Sequence, residues 1–241
     1  MNYSKLAPYY DLLGWADFTF HILPHIRSFF RAIGSPPERY LDIACGTGVL
    51  ASILADENIR ITGIDINPEM IREAKKREYS IRPNFRVADM CKFDLRSQFP
   101  VTGCFYDAIN HLASEEDVRK AFRCAFLHTE PGGYYIFDIN TPLGLERWSP
   151  YCSQQRNRFI VTQDGTYDKS TGTRDIKIEA FVKDSNDEVR YVNEMIREKA
   201  YPLSFIQHAL AEAGFRKFAF EPFRNEGTVR DAERLFTVCR R

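Results

Sequence analysis

Residues 40–51 read YLDIACGTGVLA, which is a short apolar run, then a glycine turn, then the start of an apolar helix. Gly46 and Gly48 flank Thr47, so the backbone can bend sharply there and a ligand can come close to it. The helix that follows directs its free N–H groups at the same place. This stretch therefore predicts a strand–turn–helix unit that binds a nucleoside cofactor.

The residues around this unit alternate between strand-like and helix-like patterns. Helical patterns at about 48–56, 69–79 and 115–128 separate strand-like runs at 40–44, 60–64, 84–88, 101–106 and 133–139. Such alternation predicts a parallel sheet with helices on both faces, whose ligands bind beyond the carboxyl ends of the strands.

The remaining segments follow other patterns. Alternation of apolar and polar residues predicts an antiparallel meander, followed by a helix and two closing strands. An aromatic-rich segment with helical spacing over 18–33 precedes the core, and it suits either packing against the sheet or a lid over a ligand. The meander runs through 156–164, 172–183 and 188–199, the helix through 202–213, and the closing strands through 215–223 and 235–240.

The composition of the chain indicates which ligands and which cellular compartment it suits. Lys plus Arg and Asp plus Glu number 33 each, so no net charge attracts a nucleic acid. The six cysteines include no CxxC pair, which indicates thiols in a reducing, cytoplasmic compartment. No apolar run reaches the roughly 20 residues that a membrane span requires. His21 and His25 lack a third ligand nearby, so we expect no metal site.

Acidic residues follow or end each of the five parallel strands. A cationic or hydroxyl-rich ligand would account for this concentration of negative charge at one edge of the sheet better than solvated surface does. The five residues are Asp42, Asp65, Asp89, Asp107 and Asp138.

Two cofactors fit the glycine turn to different degrees. GTGVLA satisfies the dinucleotide pattern, with Asp65 about 20 residues further on, so NAD is a serious rival. Asp42 inside the strand would sit poorly near a pyrophosphate, however. The phosphate-free, cationic S-adenosylmethionine (SAM) fits better. Asp65 would accept hydrogen bonds from the ribose hydroxyls, and Asp89 would accept one from the adenine amino group. Met90 and Ile66 would pack on the adenine ring.

The motifs LDIACGTG, GIDINPEMI and ADM, with a Pro-Gly-Gly turn before FDIN, resemble class I SAM-dependent methyltransferases. They are most similar to the small-molecule branch near the glycine and aminosugar N-methyltransferases, and APYYD at 7–11 matches that branch's element whose tyrosine covers the cofactor. One departure is Phe99-Pro100, where such proteins usually have Phe-Asp. Because proline lacks a backbone donor, an altered start of the fourth strand is expected.

The resemblance implies an α/β fold: a Rossmann-like, doubly wound, mostly parallel sheet with an appended antiparallel β layer and an N-terminal helical lid. The expected segments are the lid (1–35), the SAM-binding core (36–142), the β insertion as a substrate lid (143–200) and the closing helix and strands (201–241). The expected cofactor-binding residues are Tyr10, Asp42, Ala44, Gly46, Gly48, Asp65, Ile66, Met70, Asp89, Met90 and Phe105.

The methyl acceptor is expected to be a small molecule that is methylated on nitrogen or oxygen, with S-adenosylhomocysteine (SAH) as the other product. His111 follows the fourth strand and is the best-placed general base, and the alternative for it is a structural role at a helix start. Two rival functions are an NAD(P)-dependent oxidoreductase and a spermidine-synthase-like aminopropyl transferase. Expected substrate-binding residues are Tyr106, Asp107, Asn110, Asn140, Arg147 and Trp148.

Overall fold

The computed structural model describes residues 3–149, 151–184, 186–224 and 227–241. Its main sheet has seven strands in the order β10-β11-β5-β4-β1-β2-β3, and five of them are parallel. The parallel strands are β1 (Arg39–Ile43), β2 (Arg60–Asp65), β3 (Asn84–Val87), β4 (Phe99–Cys104) and β5 (Thr129–Asn140). The last two strands, β10 (Lys217–Pro222) and β11 (Arg234–Arg240), are antiparallel to their neighbours.

Helices cover both faces of this sheet, because each helix buries an apolar stripe against it. Helix α1 packs on one face with α2 and α3, while α4 and α6 pack on the other. The helices are α1 (Phe18–Ala32), α2 (Val49–Asp56), α3 (Pro68–Lys76), α4 (Glu115–His128), a short α5 (Pro142–Arg147) and α6 (Leu203–Ala213). None of the described helices has the length and apolar character needed to cross a membrane.

A second, antiparallel sheet contains β6 (Tyr151–Arg156), β7 (Phe159–Asp168), β8 (Thr173–Lys183) and β9 (Val189–Lys199), in that order. Its inner face packs on the N-terminal segment, where Leu6 and Leu13 are fully buried against Val161 and Ile178. The segment before α1 therefore covers part of the inner face of this sheet.

The structure confirms the predicted α/β architecture and corrects several details. β4 starts at Phe99, two residues before the predicted start, and the register with β5 shifts between Phe99 and Val101 around Pro100. This is the altered strand start that the proline predicts. The region before α1 forms two single 3-10 turns, Ala7–Tyr9 and Trp15–Asp17, and not a longer helix.

The sequence patterns miss two elements, β6 and α5. β6 is an edge strand with mostly exposed residues, so its sequence YCSQQR carries no alternation of apolar and polar positions. As a consequence, the first meander strand was expected to begin at residue 156, which is the last residue of β6, while β7 begins at Phe159.

The connection between the two sheets is held by a buried arginine. Arg174 on β8 donates to the carbonyl oxygens of Leu145 (2.8 Å), Trp148 (3.1 Å) and Ser149 (2.8 Å). Gly165 opposite it leaves room for the guanidinium, since a Cβ there would lie 2.7 Å from Arg174 Nε. The guanidinium thus fixes the path of the chain from α5 into the antiparallel sheet.

Replacing Arg174 with Met should lower the free energy of unfolding by about 2–4 kcal/mol, because several buried carbonyl groups lose their donor. Urea denaturation followed by circular dichroism measures the change. Arg156→Met, at an exposed position of β6, is the control and should change stability by less than about 0.5 kcal/mol. Equal stabilities of the two variants would contradict the role of Arg174.

Candidate active site between the two sheets

The carboxyl ends of the parallel strands open into one cavity of about 1150 Å³. The antiparallel sheet and the N-terminal segment form its other walls, through residues such as Ile178, Ile196 and Tyr3. Ligand cavities for drug-sized molecules span roughly 300–1,000 Å³, so this one has room for a cofactor and a second small molecule.

The glycine turn forms the floor of the cavity. Ala44 (φ 59°), Gly46 (φ 53°) and Gly48 (φ 77°) all have left-handed backbone conformations. Asp65 holds the turn closed, because its Oδ2 accepts from Gly46 N at 2.9 Å while its Oδ1 accepts from Asn67 N at 2.8 Å. Each carboxylate oxygen retains one further lone pair for a ligand hydroxyl.

Gly48 has a different role from Gly46. A Cβ at Gly48 would lie 2.8 Å from Tyr79 Oη and 3.1 Å from Phe85, so glycine is needed there for packing. Gly48 does not line the cavity, while Gly46 and Thr47 do.

A three-residue latch fastens the N-terminal segment over the glycine turn. Thr47 Oγ1 donates to Asp11 Oδ1 at 2.6 Å, and Arg77 Nε donates to Thr47 O at 2.7 Å. Arg77 also forms an ion pair with Asp11 Oδ2. Tyr10, next to Asp11 of this Asp11–Thr47–Arg77 latch, lines the cavity.

Asp42 is a buried carboxyl group with an unsatisfied atom. It is 3% exposed, lines the cavity, and its Oδ2 has no hydrogen-bond partner among the described residues. Burial, with a smaller contribution from Asp65, raises the pKa of Asp42 to about 8. A ligand that brings a cation or a hydrogen-bond donor to this place would satisfy the group.

The wall beyond β2 and β3 combines apolar surfaces with one carboxylate. Asp89 Oδ1 accepts from Cys91 N at 2.9 Å, and its Oδ2 lies 3.6 Å from Lys92 Nζ. Ile66 lines the cavity although it is 48% exposed, which is unusual for a large apolar side chain. Three more of the expected cofactor-binding residues line the cavity, namely Met70, Met90 and Phe105.

The opposite end of the cavity contains a cluster of titratable groups. Asp107, His111 and Glu198 each have a side-chain nitrogen or oxygen atom that lies within 4.8 Å of those of the other two. Arg234 forms ion pairs with Asp107 and with Asp138 Oδ2 (3.2 Å). Asn140 connects Arg234 to Glu198. Its Oδ1 accepts from Arg234 Nε at 3.0 Å, and its Nδ2 donates to Glu198 Oε2 at 3.2 Å.

Two successive left-handed residues present this cluster. Tyr106 (φ 61°) and Asp107 (φ 46°) follow β4, and Asp138 accepts hydrogen bonds from both of their backbone N–H groups, at 2.6 Å and 3.2 Å. Non-glycine residues adopt this conformation only where their surroundings hold them in it. The buried Asp138 carboxylate is what holds them here.

His111 lies beside this cluster. Its Nδ1 is 3.4 Å from Arg197 O, and its ring packs edge-on against Tyr3 with centroids 5.6 Å apart. Burial lowers the pKa of His111, opposed by the charge of Asp107. The imidazole is therefore neutral near pH 7 and able to accept a proton.

Aromatic rings enclose the same end of the cavity. Tyr10 lies 5.7 Å from Tyr3, 5.5 Å from Trp15 and 6.4 Å from Tyr106, measured between ring centroids. We call these four residues the aromatic box. Burial raises the pKa of Tyr3, Tyr10 and Tyr106, so these phenols stay neutral.

Most of the expected substrate-binding residues line the cavity, and one does not. Tyr106, Asp107, Asn140, Arg147 and Trp148 are at its wall or mouth, where Arg147 lies 3.6 Å from Glu233. The side chain of Asn110 is turned away. It donates to the carbonyl oxygens of Asn140 and Lys199 and accepts from Asn140 N, so it holds the end of β5 in place.

Sequence reasoning missed Glu198 and Arg234 because both reach the cavity through long-range pairing. The alternation in β9 did contain a signal for Glu198: it shares a face with the buried Val192 and Ile196, so a carboxyl group is directed inward. For Arg234, one residue before the apolar run of the last strand, no comparable signal exists.

Part of the chain matches a known family. Residues 41–133 match the family model described as a methyltransferase domain. A protein of Geobacillus sp. (strain WCH70), named as a methyltransferase, is 24% identical over all of both chains. These matches confirm the family resemblance that the motifs indicate.

Solved structures agree on the fold. The structure of a S-adenosylmethionine-dependent methyltransferase from Clostridium acetobutylicum ATCC 824 covers 100% of this chain and 99% of its own, with a TM-score of 0.79 and 22% identity. SAM-bound CalS10, an amino pentose methyltransferase from Micromonospora echinaspora, covers 95% and 92%, with a TM-score of 0.71 and 22% identity. At this level of identity the likeness concerns the architecture.

The buried carboxyl groups predict an unusual pH dependence of stability. Burial raises the pKa of Asp42 to about 8 and that of Asp138 to about 6, so the native state binds more protons than the unfolded state between pH ~4 and pH ~8. The free energy of unfolding of the ligand-free protein should therefore fall as pH rises through this window, by about 1.4 kcal/mol per pH unit for each extra proton.

Urea titrations at a series of pH values measure this slope. Asp42→Asn removes one of the titrating groups and should flatten the slope between pH ~6 and pH ~8. A free energy of unfolding that rises with pH over this window would contradict the assignment.

Proposed function

We propose that this chain transfers a methyl group from SAM to a nitrogen or oxygen atom of a small molecule, a proposal that the match of residues 41–133 to the methyltransferase domain model supports. The observation that carries this proposal is the unsatisfied, buried carboxyl group of Asp42 at the floor of the cavity. A pyrophosphate would raise the cost of ionising the buried Asp42 further, whereas the cationic cofactor brings donors and a positive charge that stabilise the carboxylate. SAM supplies an activated methyl group on a sulfonium.

The cofactor-binding residues divide by the part of the cofactor they contact. Gly46 and Asp42 would bind the methionine portion. Asp65 would accept hydrogen bonds from the ribose hydroxyls through the lone pairs that are not used by the backbone N–H groups of Gly46 and Asn67. Asp89 accepts the adenine amino group. The adenine ring packs between Ile66 and Met90, which explains the exposure of Ile66 in the ligand-free protein.

The residues at the far end of the cavity position the acceptor and exclude water from it. In-line displacement needs an acceptor lone pair held against the methyl group, so positioning supplies much of the catalysis. The aromatic box encloses the reacting atoms, while Asp107 and Asn140 offer polar contacts to the acceptor. Arg147 and Trp148 contact the acceptor at the mouth. The neutral imidazole of His111 lies where it could take a proton from the acceptor.

We assign functions to the segments on the same basis. Residues 1–35 act as a lid, residues 36–142 bind SAM, residues 143–200 cover the acceptor, and residues 201–241 complete the sheet and supply Arg234. The protein works as a cytoplasmic enzyme, which is supported by six free cysteines, and binds no nucleic acid, which is supported by its net charge of zero.

The rival functions receive less support. Asp42 disfavours NAD, and the relatives described above are named as methyltransferases, not as oxidoreductases or aminopropyl transferases. Among the relatives described above, the name of one includes a substrate class, an amino pentose.

Thermal unfolding with each candidate cofactor tests the proposed function. At 100 times its dissociation constant, SAH should stabilise the protein by about 2.7 kcal/mol, which corresponds to a rise in Tm of several degrees. NADH at the same concentration should leave Tm unchanged. Stabilisation by NADH without stabilisation by SAH would overturn the proposal.

Removal of the Asp65 carboxylate tests the ribose contact. Asp65→Ala should weaken SAH binding about 10- to 100-fold, because charge-assisted hydrogen bonds contribute roughly 1.5–3 kcal/mol. Isothermal titration calorimetry measures the affinity, and Asp56→Ala on the exposed side of α2 is the control.

Asp65 also holds the backbone of Gly46 and Asn67, so Asp65→Asn serves as a second variant that keeps one oxygen acceptor. It should bind SAH with intermediate affinity. An affinity of Asp65→Ala within a factor of two of the wild type would rule out the ribose contact.

A further inference from the structure

The cluster at the far end of the cavity contains more carboxyl groups than cations. The three carboxyl groups are those of Asp107, Asp138 and Glu198, and the one guanidinium near them is that of Arg234. Asp107 and Asp138 are its direct ion-pair partners, which leaves Glu198 out. Among the residues that the structure describes, no Lys, Arg or His forms an ion pair with Glu198. Its hydrogen-bond partners are the neutral amide of Asn140, which donates to Oε2, and the carboxyl group of Asp107.

Glu198 is a buried carboxyl group that faces the cavity. It is 3% exposed and lines the cavity wall next to Asp107. Burial raises the pKa of Glu198, and the charge of Asp107 raises it further, so the group holds a proton while the cavity is empty. A cation placed beside it would replace that proton.

The aromatic box gives independent evidence for a cationic ligand. Tyr3, Tyr10, Trp15 and Tyr106 all line the cavity and contact one another, and neutral aromatic rings attract cations through their faces. Because burial keeps the three phenols protonated, they contribute this attraction and no negative charge. A carboxyl group without a cation therefore lies beside a box that favours one.

We propose that the methyl acceptor is an amine, which enters the cavity as an ammonium ion held between Glu198 and the aromatic box, and that Glu198 takes its proton before methyl transfer. This inference rests on the proposed function and names the acceptor class at the same site. Glu198 contacts the reacting nitrogen directly. Arg234 and Asn140 hold Glu198 in position, Asn140 by donating to Glu198 Oε2 and Arg234 by donating to Asn140 Oδ1.

The steps balance in protons and electrons. As the ammonium binds, Glu198 releases its proton to solvent and becomes the counterion. The ammonium N–H bond then breaks, its proton returns to the Glu198 carboxylate, and a neutral amine with a free lone pair remains. That lone pair forms the new N–C bond while the C–S bond breaks, and its electron pair goes to sulfur. The products are a methylated ammonium ion and SAH.

Glu198 suits this role better than His111 does. Burial lowers the pKa of His111, which makes the imidazole a weak base toward an ammonium ion. A buried imidazole also brings no negative charge to hold the cation. The edge-on packing of His111 against Tyr3 instead fits a part in shaping the aromatic box.

Binding of two probes of equal shape tests the inference. Benzylamine is a cation at neutral pH and benzyl alcohol is neutral, so SAH-saturated protein should bind benzylamine about 10- to 100-fold more tightly. Ligand-observed NMR or calorimetry measures both affinities, with EDTA present so that no metal ion occupies the cluster. Equal affinities, or no detectable binding of benzylamine, would overturn the inference.

Glu198→Gln keeps the shape of the side chain and removes its charge, so it should abolish the preference for benzylamine while SAH affinity stays within a factor of two. Glu179→Gln on the outer face of β8 is the matched control and should keep the preference. Persistence of the preference in Glu198→Gln would contradict the role of Glu198.

Different results would overturn the proposed function and the assignment of an amine acceptor. If SAH does not bind the wild-type protein, the proposed function fails. If SAH binds and the amine shows no advantage over the alcohol, only the present inference fails. The wild-type comparison decides this point even where Glu198→Gln does not fold.

Discussion

One half-buried guanidinium, that of Arg234, connects the closing strand of the main sheet to the acidic cluster at the far end of the cavity. It pairs with Asp107 after β4 and with Asp138 on β5, and it donates to Asn140 at the end of β5. Buried carboxylates are costly unless a cation and hydrogen bonds compensate them. The left-handed backbone at Tyr106 and Asp107 depends on Asp138, so the ion pair also determines the orientation of the Tyr106 ring.

The division of the fold into two sheets separates two tasks. The parallel sheet provides the glycine turn and the acids at its strand ends, which form one end of the cavity. The antiparallel sheet provides Glu198, Ile178 and Ile196 to the opposite wall. Arg174 fixes the connection between the sheets through backbone carbonyl groups, so the position of this wall relative to the strand ends depends on Arg174.

The sequence predicts the cofactor end far better than the acceptor end, and the reason is the range of the interactions. Gly46, Asp65 and Asp89 lie in motifs of a few residues each, where turn geometry and strand ends can be read locally. Glu198 becomes a site residue only through the register of β9, and Arg234 only through contacts with residues about a hundred positions away. The same limit explains Asn110, whose position after β4 predicted a ligand contact although its amide satisfies the backbone of β5.

The latch over the glycine turn joins the N-terminal segment to the core through charges that solvent reaches. Asp11, Thr47 and Arg77 connect the turn to the segment that carries Tyr10 to the cavity wall. The ion pair is exposed enough to be screened by salt, so the hold of this segment on the turn weakens as ionic strength rises. If the proposed cofactor binds at the turn, ionic strength would also change the rate at which it is released.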